Sequence, residues 1–160
     1  RQSKILTVQK LANQYLAYET LSDGLRHTLD VLTAISSSAK ADVSKTREDR
    51  LKTDARDDAK NEYVAEQPVV RTHPETGRKC LFLGDHAEHI VGLPYEEGRS
   101  LIEELNALAI HPDLSYEHRW RTRELILWDN RCVMHRATAY DAANQGRVIR
   151  RCTVVGEIPA

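Results

Sequence analysis

Three residues in the C-terminal part of the sequence have side chains suited to holding a metal ion and organic anions. His135 follows the segment WDNRCVM, and Arg147 and Arg151 come shortly after it. Imidazole is a common ligand of transition metals, and the guanidinium fork matches a carboxylate through two parallel hydrogen bonds. These residue types predict a site for one metal ion and two small anions.

The spacing of the two arginines supports this interpretation if residues 147–155 form a strand. Side chains four residues apart in a strand lie on the same face, so Arg147 and Arg151 would share one face, roughly 13 Å apart. Arg150 would then point to the opposite side. An arginine that faces a cavity is costly unless it meets an anion. We therefore expect each arginine of the shared face to bind a carboxylate-like group.

Periodic patterns predict the elements that must position these residues. Apolar residues at helical spacing predict helices at 8–21, 24–34 and 96–109, the last with Leu101, Ile102, Leu105 and Leu108 on one stripe. Short apolar or β-branched runs predict strands at 68–72, 80–83, 125–128 and 148–155. Helices come first and strands dominate the second half, which predicts an α+β fold with a β-sandwich or barrel core.

Composition limits the kinds of partner. The chain has 160 residues, enough for one domain with a core, and its net charge of −1 gives no reason to expect nucleic acid or an anionic membrane as partner. No apolar run approaches the ~20 residues of a membrane span. The sequence leaves a homo-oligomer open. It begins at Arg1 without an initiator methionine, so a fragment or a processed product is expected.

The cysteines predict a reducing compartment. Cys80, Cys132 and Cys152 are odd in number, far apart and outside any zinc-like spacing, so a cytoplasmic protein is expected. Cys132 and Cys152 are interpreted as small buried hydrophobic residues.

Residues 40–62 differ in character from the rest of the chain. Seven basic and seven acidic residues lie among these 23, so the balanced charge does not make a nucleic-acid patch. A solvated helix or mobile loop is one interpretation. A lid over a site is the other, because long loops in compact domains often serve as lids.

The motifs WDNRCVMHRATAYD, GRVIRRCTVVG and HPETGRKCLFLGDHAEHIVGL together resemble those of a known family. This is the TauD/TfdA family of Fe(II)- and 2-oxoglutarate-dependent dioxygenases, and the resemblance runs from about Leu11 to the C-terminus. It implies one domain over residues 1–160 with a double-stranded β-helix (jelly roll) core and flanking helices. It also implies that the N-terminal part of that domain is missing here.

The resemblance implies a role for each of the three residues. His135 matches the second histidine of the 2-His-1-carboxylate iron site, and Arg147 matches the arginine that pairs with the distal carboxylate of 2-oxoglutarate. Arg151 matches the arginine that receives the anionic group of the substrate. The implied reaction is hydroxylation of a small anionic molecule, aryloxyalkanoate- or alkylsulfonate-like, with succinate and CO₂ as co-products.

The sequence departs from the family at the other two iron ligands. The family's His-x-Asp motif falls at or before residue 1, and three near matches, His73-Pro74-Glu75, His86-Ala87-Glu88 and His111-Pro112-Asp113, lie in segments with other roles. The alternative is therefore a catalytically inactive remnant, at most a carboxylate-binding protein.

Two further positions depart from the family. Gln9 stands where a threonine contacts 2-oxoglutarate, and residues 120–124 stand where a turn contains glycine. Loss of that glycine should cost stability if the backbone there still needs a positive φ. Beside these positions, Trp128 is interpreted as a core residue, and Asp129 and Asn130 as braces of the turn before His135.

Overall fold

The computed structural model describes residues 8–37, 64–139 and 148–156. Arg147 and the charged segment 40–62 therefore lie outside the described residues. The strands are β1 (Val8–Asn13), β2 (Thr33–Ser37), β3 (Val64–Pro68), β4 (Val70–Thr72), β5 (Lys79–Leu81), β6 (Ala87–Ile90), β7 (Ser115–Arg119) and β8 (Val133–Ala137). The helices are α1 (Gln14–Glu19), α2 (Asp23–Leu29) and α3 (Tyr95–Ala109), with a 3-10 turn at Pro112–Leu114.

The strands form three antiparallel sheets. One has the order β7-β1-β8, the second β3-β2-β6, and the third pairs β4 with β5. In the first sheet β1 is central, with Leu11 opposite both Tyr116 of β7 and His135 of β8. This sheet therefore fixes the position of His135.

The core lies between the helices and the second and third sheets. Its largest fully buried side chains are Leu29, Val69, Cys80, Leu81, Ile90 and Ile102. Helix α3 comes very close to β6, because a Cβ added at Gly98 would lie 2.9 Å from the backbone nitrogen of Ile90. Any larger residue at position 98 would push the helix off the sheet.

The helix predicted at 96–109 is confirmed as α3, with Ile102 and Leu105 buried. The helix predicted at 8–21 is wrong in its first half, since residues 8–13 form β1. Helix α1 starts after Asn13, whose Oδ1 accepts hydrogen bonds from the backbone N–H groups of Tyr15 (3.0 Å) and Leu16 (3.2 Å). Asn13 is thus both the last residue of β1 and the N-cap of α1.

The second predicted helix, 24–34, is too long. Helix α2 ends at Leu29, and Thr33–Ser37 form β2, where Ala34 and Ile35 pair with β3 and β6. The strand predicted at 68–72 is divided between β3 and β4, and the one at 80–83 corresponds to β5.

The predicted strands at 125–128 and 148–155 are wrong in the described part of the chain. Neither segment is assigned to a strand, and Leu125 and Leu127 are 85% and 88% exposed. Val154 and Val155 are exposed as well. An apolar run becomes a strand only when a partner accepts its backbone hydrogen bonds, and the described residues offer these two segments no partner strand. Within the same residues no helix is long and apolar enough to cross a membrane.

Candidate functional site

His135 lies in the middle of β8, where β1 positions it. The antiparallel register sets Leu11 opposite His135 and Gln9 opposite Ala137, so all four side chains lie on one face of the sheet. Ala137 is small, and the longer side chain of Gln9 reaches diagonally to the histidine. Gln9 Nε2 lies 3.1 Å from His135 Nδ1.

The surroundings of His135 favour its neutral form. Burial lowers the pKa of the imidazole, and the positive charge of Arg151 lowers it further. The indole of Trp128 lies against the ring, with 4.9 Å between the ring centroids. A neutral imidazole is the form that binds a metal ion, so His135 is suited to the role of a ligand.

The turn that leads to β8 is braced by the residues expected to do so. Asp129 Oδ1 accepts a hydrogen bond from the backbone N–H of Arg131 at 2.8 Å. Asn130 Oδ1 accepts one from the Trp128 indole N–H at 2.7 Å. Trp128 is half-buried and lies outside the hydrophobic core, so its interpretation as a core residue is wrong; its indole packs against the His135 ring instead.

Of the two arginines predicted to bind anions, the described residues include Arg151. Arg151 is exposed and lies in an irregular segment, so the premise of a strand at this position is wrong. Arg147 lies outside the described residues, and its role in binding 2-oxoglutarate stays a prediction. Arg151 is nevertheless close enough to His135 to affect the pKa of the imidazole.

The described residues supply one of the three ligands that an iron site of this kind needs. Within 8–37, 64–139 and 148–156, the one group of three potential metal ligands within 4.8 Å of one another is His73, Asp129 and Cys132. His135 is not a member of it. His135 therefore fits a single ligand position, and no chemical step through iron follows from these residues.

The near match at His111 has a local structural role. His111 precedes the 3-10 turn, and its Nδ1 accepts a hydrogen bond from the backbone N–H of Asp113 at 3.3 Å. Both side chains are largely exposed. This His-x-Asp sequence thus caps a turn.

His73 forms a polar cluster with Glu75, Asp129 and Arg131, which we call the His73 junction. The His73 side chain is buried, and its Nδ1 accepts a hydrogen bond from the backbone N–H of Glu75 at 3.3 Å. Nε2 must then carry the proton, which it donates to Asp129 Oδ2 at 3.1 Å. Both ring nitrogens of His73 therefore have hydrogen-bond partners.

Arg131 forms a salt bridge with the carboxylate of Asp129. Its Nε and Nη2 donate to Asp129 at 2.6 to 3.0 Å, and Nη2 also donates to Glu75 at 2.9 Å. The guanidinium group, with help from His73, holds the pKa of Asp129 well below its usual range. A cation already neutralises this carboxylate, so we interpret the His73 junction as structural rather than as a metal site.

The three cysteines fall into two environments. Cys80 is buried and donates weak hydrogen bonds to the carbonyl oxygens of Arg71 (3.5 Å) and Arg131 (3.3 Å). Burial raises the pKa of its thiol to about 11. Cys132 is buried, as expected, but Cys152 is exposed. The expectation for Cys152 is wrong because the segment around it is not packed in the described structure.

The chain matches the family described as taurine catabolism dioxygenase TauD, TfdA family, over residues 9–153. It is 48% identical over 89 residues to an alpha-ketoglutarate-dependent 2,4-dichlorophenoxyacetate dioxygenase of Burkholderia sp. (strain RASC), covering 56% of this chain and 30% of that protein. An alkylsulfatase of Acinetobacter baylyi is 33% identical over 153 residues, covering 92% of this chain and 47% of the relative.

A solved structure shares this fold. The crystal structure of AAD-2 in complex with Mn(II) and N-oxalylglycine superposes with a TM-score of 0.73 at 31% identity, covering 89% of this chain and 54% of that one. The chain thus spans about half the length of this structure and of the alkylsulfatase, and less of the 2,4-dichlorophenoxyacetate dioxygenase.

Proposed function

The chain belongs to the TauD/TfdA family of dioxygenases, and from this premise we propose that it is part of an Fe(II)- and 2-oxoglutarate-dependent enzyme. The proposed reaction is hydroxylation of a small anionic organic substrate, aryloxyalkanoate- or alkylsulfonate-like, with succinate and CO₂ as co-products. The observation that carries this proposal is the family match over residues 9–153, which includes His135, Arg147 and Arg151.

In this proposal the chain's own residues bind and orient. His135 would hold the metal through Nε2, since Nδ1 faces Gln9. Arg147 would bind the distal carboxylate of 2-oxoglutarate, and Arg151, which is exposed and electrostatically coupled to His135, would bind the anionic group of the substrate. Iron and 2-oxoglutarate would supply the oxidising chemistry when bound.

The substrate class is proposed from the relatives. The 2,4-dichlorophenoxyacetate dioxygenase and the alkylsulfatase share this chain's family, and their names denote an aryloxyacetate and alkyl sulfates. Both are small molecules with one anionic end. A single exposed arginine near the metal ligand suits such a molecule, because guanidinium binds carboxylate and sulfate alike through paired hydrogen bonds.

One observation favours a second candidate, a carboxylate-binding protein without turnover. Within the part of the chain that the structure describes, His135 has no companion from the other histidines, cysteines or carboxylates with which to form a three-ligand site. A single imidazole binds Fe(II) weakly, whereas arginines can bind an anion without any metal.

The test is succinate formation by the purified chain with Fe(II), 2-oxoglutarate and, in turn, 2,4-dichlorophenoxyacetate and an alkyl sulfate. Substrate-dependent succinate supports the dioxygenase. No succinate and no Fe(II) binding, together with measurable 2-oxoglutarate binding, supports the second candidate for this chain. If neither metal nor anion binds, both proposals are wrong.

A matched pair of variants tests the assignment of the arginine. Arg147→Ala should weaken 2-oxoglutarate binding by at least about tenfold, because it removes a charge-assisted bidentate contact. Arg150→Ala serves as the control, since Arg150 is an exposed arginine nearby. Equal dissociation constants for the two variants would contradict the role of Arg147.

A further inference from the structure

We propose that Gln9 is a positioning residue that sets the tautomer and the orientation of the His135 imidazole. The inference deepens the proposed function, because His135 is its metal ligand. It concerns a buried polar residue on the central strand of the sheet that carries His135.

The position of Gln9 supports the proposal. Gln9 is 6% exposed although it is polar, and it lies on the central strand of its sheet. A buried carboxamide needs hydrogen-bond partners, and its Nε2 lies 3.1 Å from His135 Nδ1. The residue opposite Gln9 on β8 is Ala137, which leaves the space for this diagonal contact.

The chemistry of the contact explains its effect. A neutral imidazole carries one proton, so one ring nitrogen donates and the other accepts. When the Gln9 N–H donates to Nδ1, the proton of His135 is held on Nε2. When the carboxamide turns over and its oxygen accepts from Nδ1–H, the lone pair of Nε2 becomes available to a metal ion.

The end of the amide that faces Nδ1 therefore decides which tautomer is held: the N–H end, as in this structure, holds the Nε2–H tautomer, and the oxygen end would hold the Nδ1–H tautomer. In the metal-free chain Gln9 favours the Nε2–H tautomer. Partners of this kind orient metal-binding histidines by fixing the nitrogen that does not bind the metal. The indole of Trp128 also packs against the ring, at 4.9 Å between centroids, and restricts its rotation.

The first experiment measures the tautomer of His135 by NMR of ¹⁵N-histidine-labelled, metal-free protein at one fixed pH. The His135 signal is identified by its loss in His135→Ala. Gln9→Met keeps the size of the side chain and removes the amide. It should lower the ratio of the Nε2–H to the Nδ1–H tautomer by roughly five- to tenfold, the effect of one hydrogen bond.

Gln14→Met is the matched control. Gln14 is equally buried, but its Nε2 donates to the carbonyl oxygen of Ala12 instead of to a histidine. This variant should leave the tautomer ratio of His135 unchanged. An equal ratio in wild type and Gln9→Met would overturn the proposal, as would an equal shift in both variants.

A second measurement needs no variant and covers the case in which Gln9→Met does not fold. A scalar coupling across the hydrogen bond between Gln9 Nε2–H and His135 Nδ1 should be detected in the wild-type protein. Its absence in folded protein would overturn the proposal. Neither measurement needs iron, 2-oxoglutarate or turnover, so failure of the proposed function and failure of this inference remain distinguishable.

Discussion

His73 is buried and His135 is half-buried, and both contact residues of the segment that leads into β8, yet their environments differ. His73 has polar partners on both ring nitrogens, and a guanidinium group neutralises the carboxylate that it contacts. His135 has Gln9 on one nitrogen and an aromatic ring beside it. An imidazole whose nitrogens are both occupied holds a structure together, whereas one with a nitrogen to spare can bind a ligand.

The regions around the two histidines differ in how far their apolar side chains are buried. Near His73, Val69 before β4 and Cys80 and Leu81 of β5 lie in the core, whereas Thr72 and Lys79 at the turn are exposed. The segments 120–128 and 148–156, which flank β8, lack strands and expose most of their apolar side chains. Stability of the described fold should therefore depend on the first region far more than on the second.

The largest contrast is expected from two identical substitutions. Leu81→Ala should lower the free energy of unfolding by about 3 kcal/mol, because Leu81 is 1% exposed and its removal leaves a cavity. Leu127→Ala should change it by less than about 0.5 kcal/mol, since Leu127 is 88% exposed. Urea unfolding followed by circular dichroism measures both. Similar losses would show that the 125–128 segment is packed in solution.

The contrast between buried and exposed parts of the molecule should also appear in the reactivity of the thiols. With a pKa of about 11, Cys80 holds little thiolate at pH 8, and it is also buried. Exposed Cys152 should react with iodoacetamide on the order of 100-fold faster, measured by peptide mass spectrometry. The rate at Cys80 should rise about tenfold per pH unit between pH 8 and 10, because the thiolate fraction does. Comparable rates at pH 8 would refute the burial of Cys80.

Breaking the His73 junction should cost somewhat less than a core cavity. Asp129→Ala removes the partner of His73 and Arg131 and should destabilise the protein by about 2 kcal/mol, whereas Asn130→Ala, in the same turn, should cost less than about 1 kcal/mol. Equal effects, measured by thermal or urea unfolding, would argue against the junction.

The junction should also make stability sensitive to acid. The folded-state pKa of Asp129 is lowered, so its contribution is fully present above the unfolded value of about 3.9 and is lost as pH falls toward the folded value. The stability difference between wild type and Asp129→Asn should therefore be constant above about pH 5 and shrink below pH 4. A constant difference down to pH 2 would contradict the lowered pKa.

The smallest effect on stability is expected at Arg123, in the segment 120–128. This residue has φ of 70°, a left-handed conformation that glycine adopts more easily, and it lies in the turn that follows β7. Arg123→Gly should stabilise the protein by about 0.5 to 1 kcal/mol, and Arg121→Gly, in the same turn, should not. A loss of stability in Arg123→Gly would show that the turn adopts a different conformation in solution.

The sequence was most informative where local pattern decides structure. The stripe of Leu101, Ile102, Leu105 and Leu108 predicted α3 correctly, because an amphipathic helix is specified within its own 15 residues. The helix predicted over residues 8–13 is wrong because Val8 and Leu11 also fit helical spacing, and only pairing with β7 and β8 makes this segment a strand.

The His73 junction could not be predicted in the same way. His73 and Asp129 are far apart in sequence, and nothing in either segment alone indicates their contact. The family motif points to His135 as a candidate ligand but does not indicate which residues surround it. The contact with Gln9 follows only from the register of β1 and β8.

The central place of β1 has a consequence for how the protein folds. Val8 pairs with Arg119 and Gln9 with Ala137, so these partners are on the order of a hundred residues apart in the chain. Closing such long loops is entropically costly and slows folding, whereas the β4-β5 hairpin closes locally. The sheet that carries His135 is therefore expected to form late, after the hairpin and helices, in the slowest step of folding.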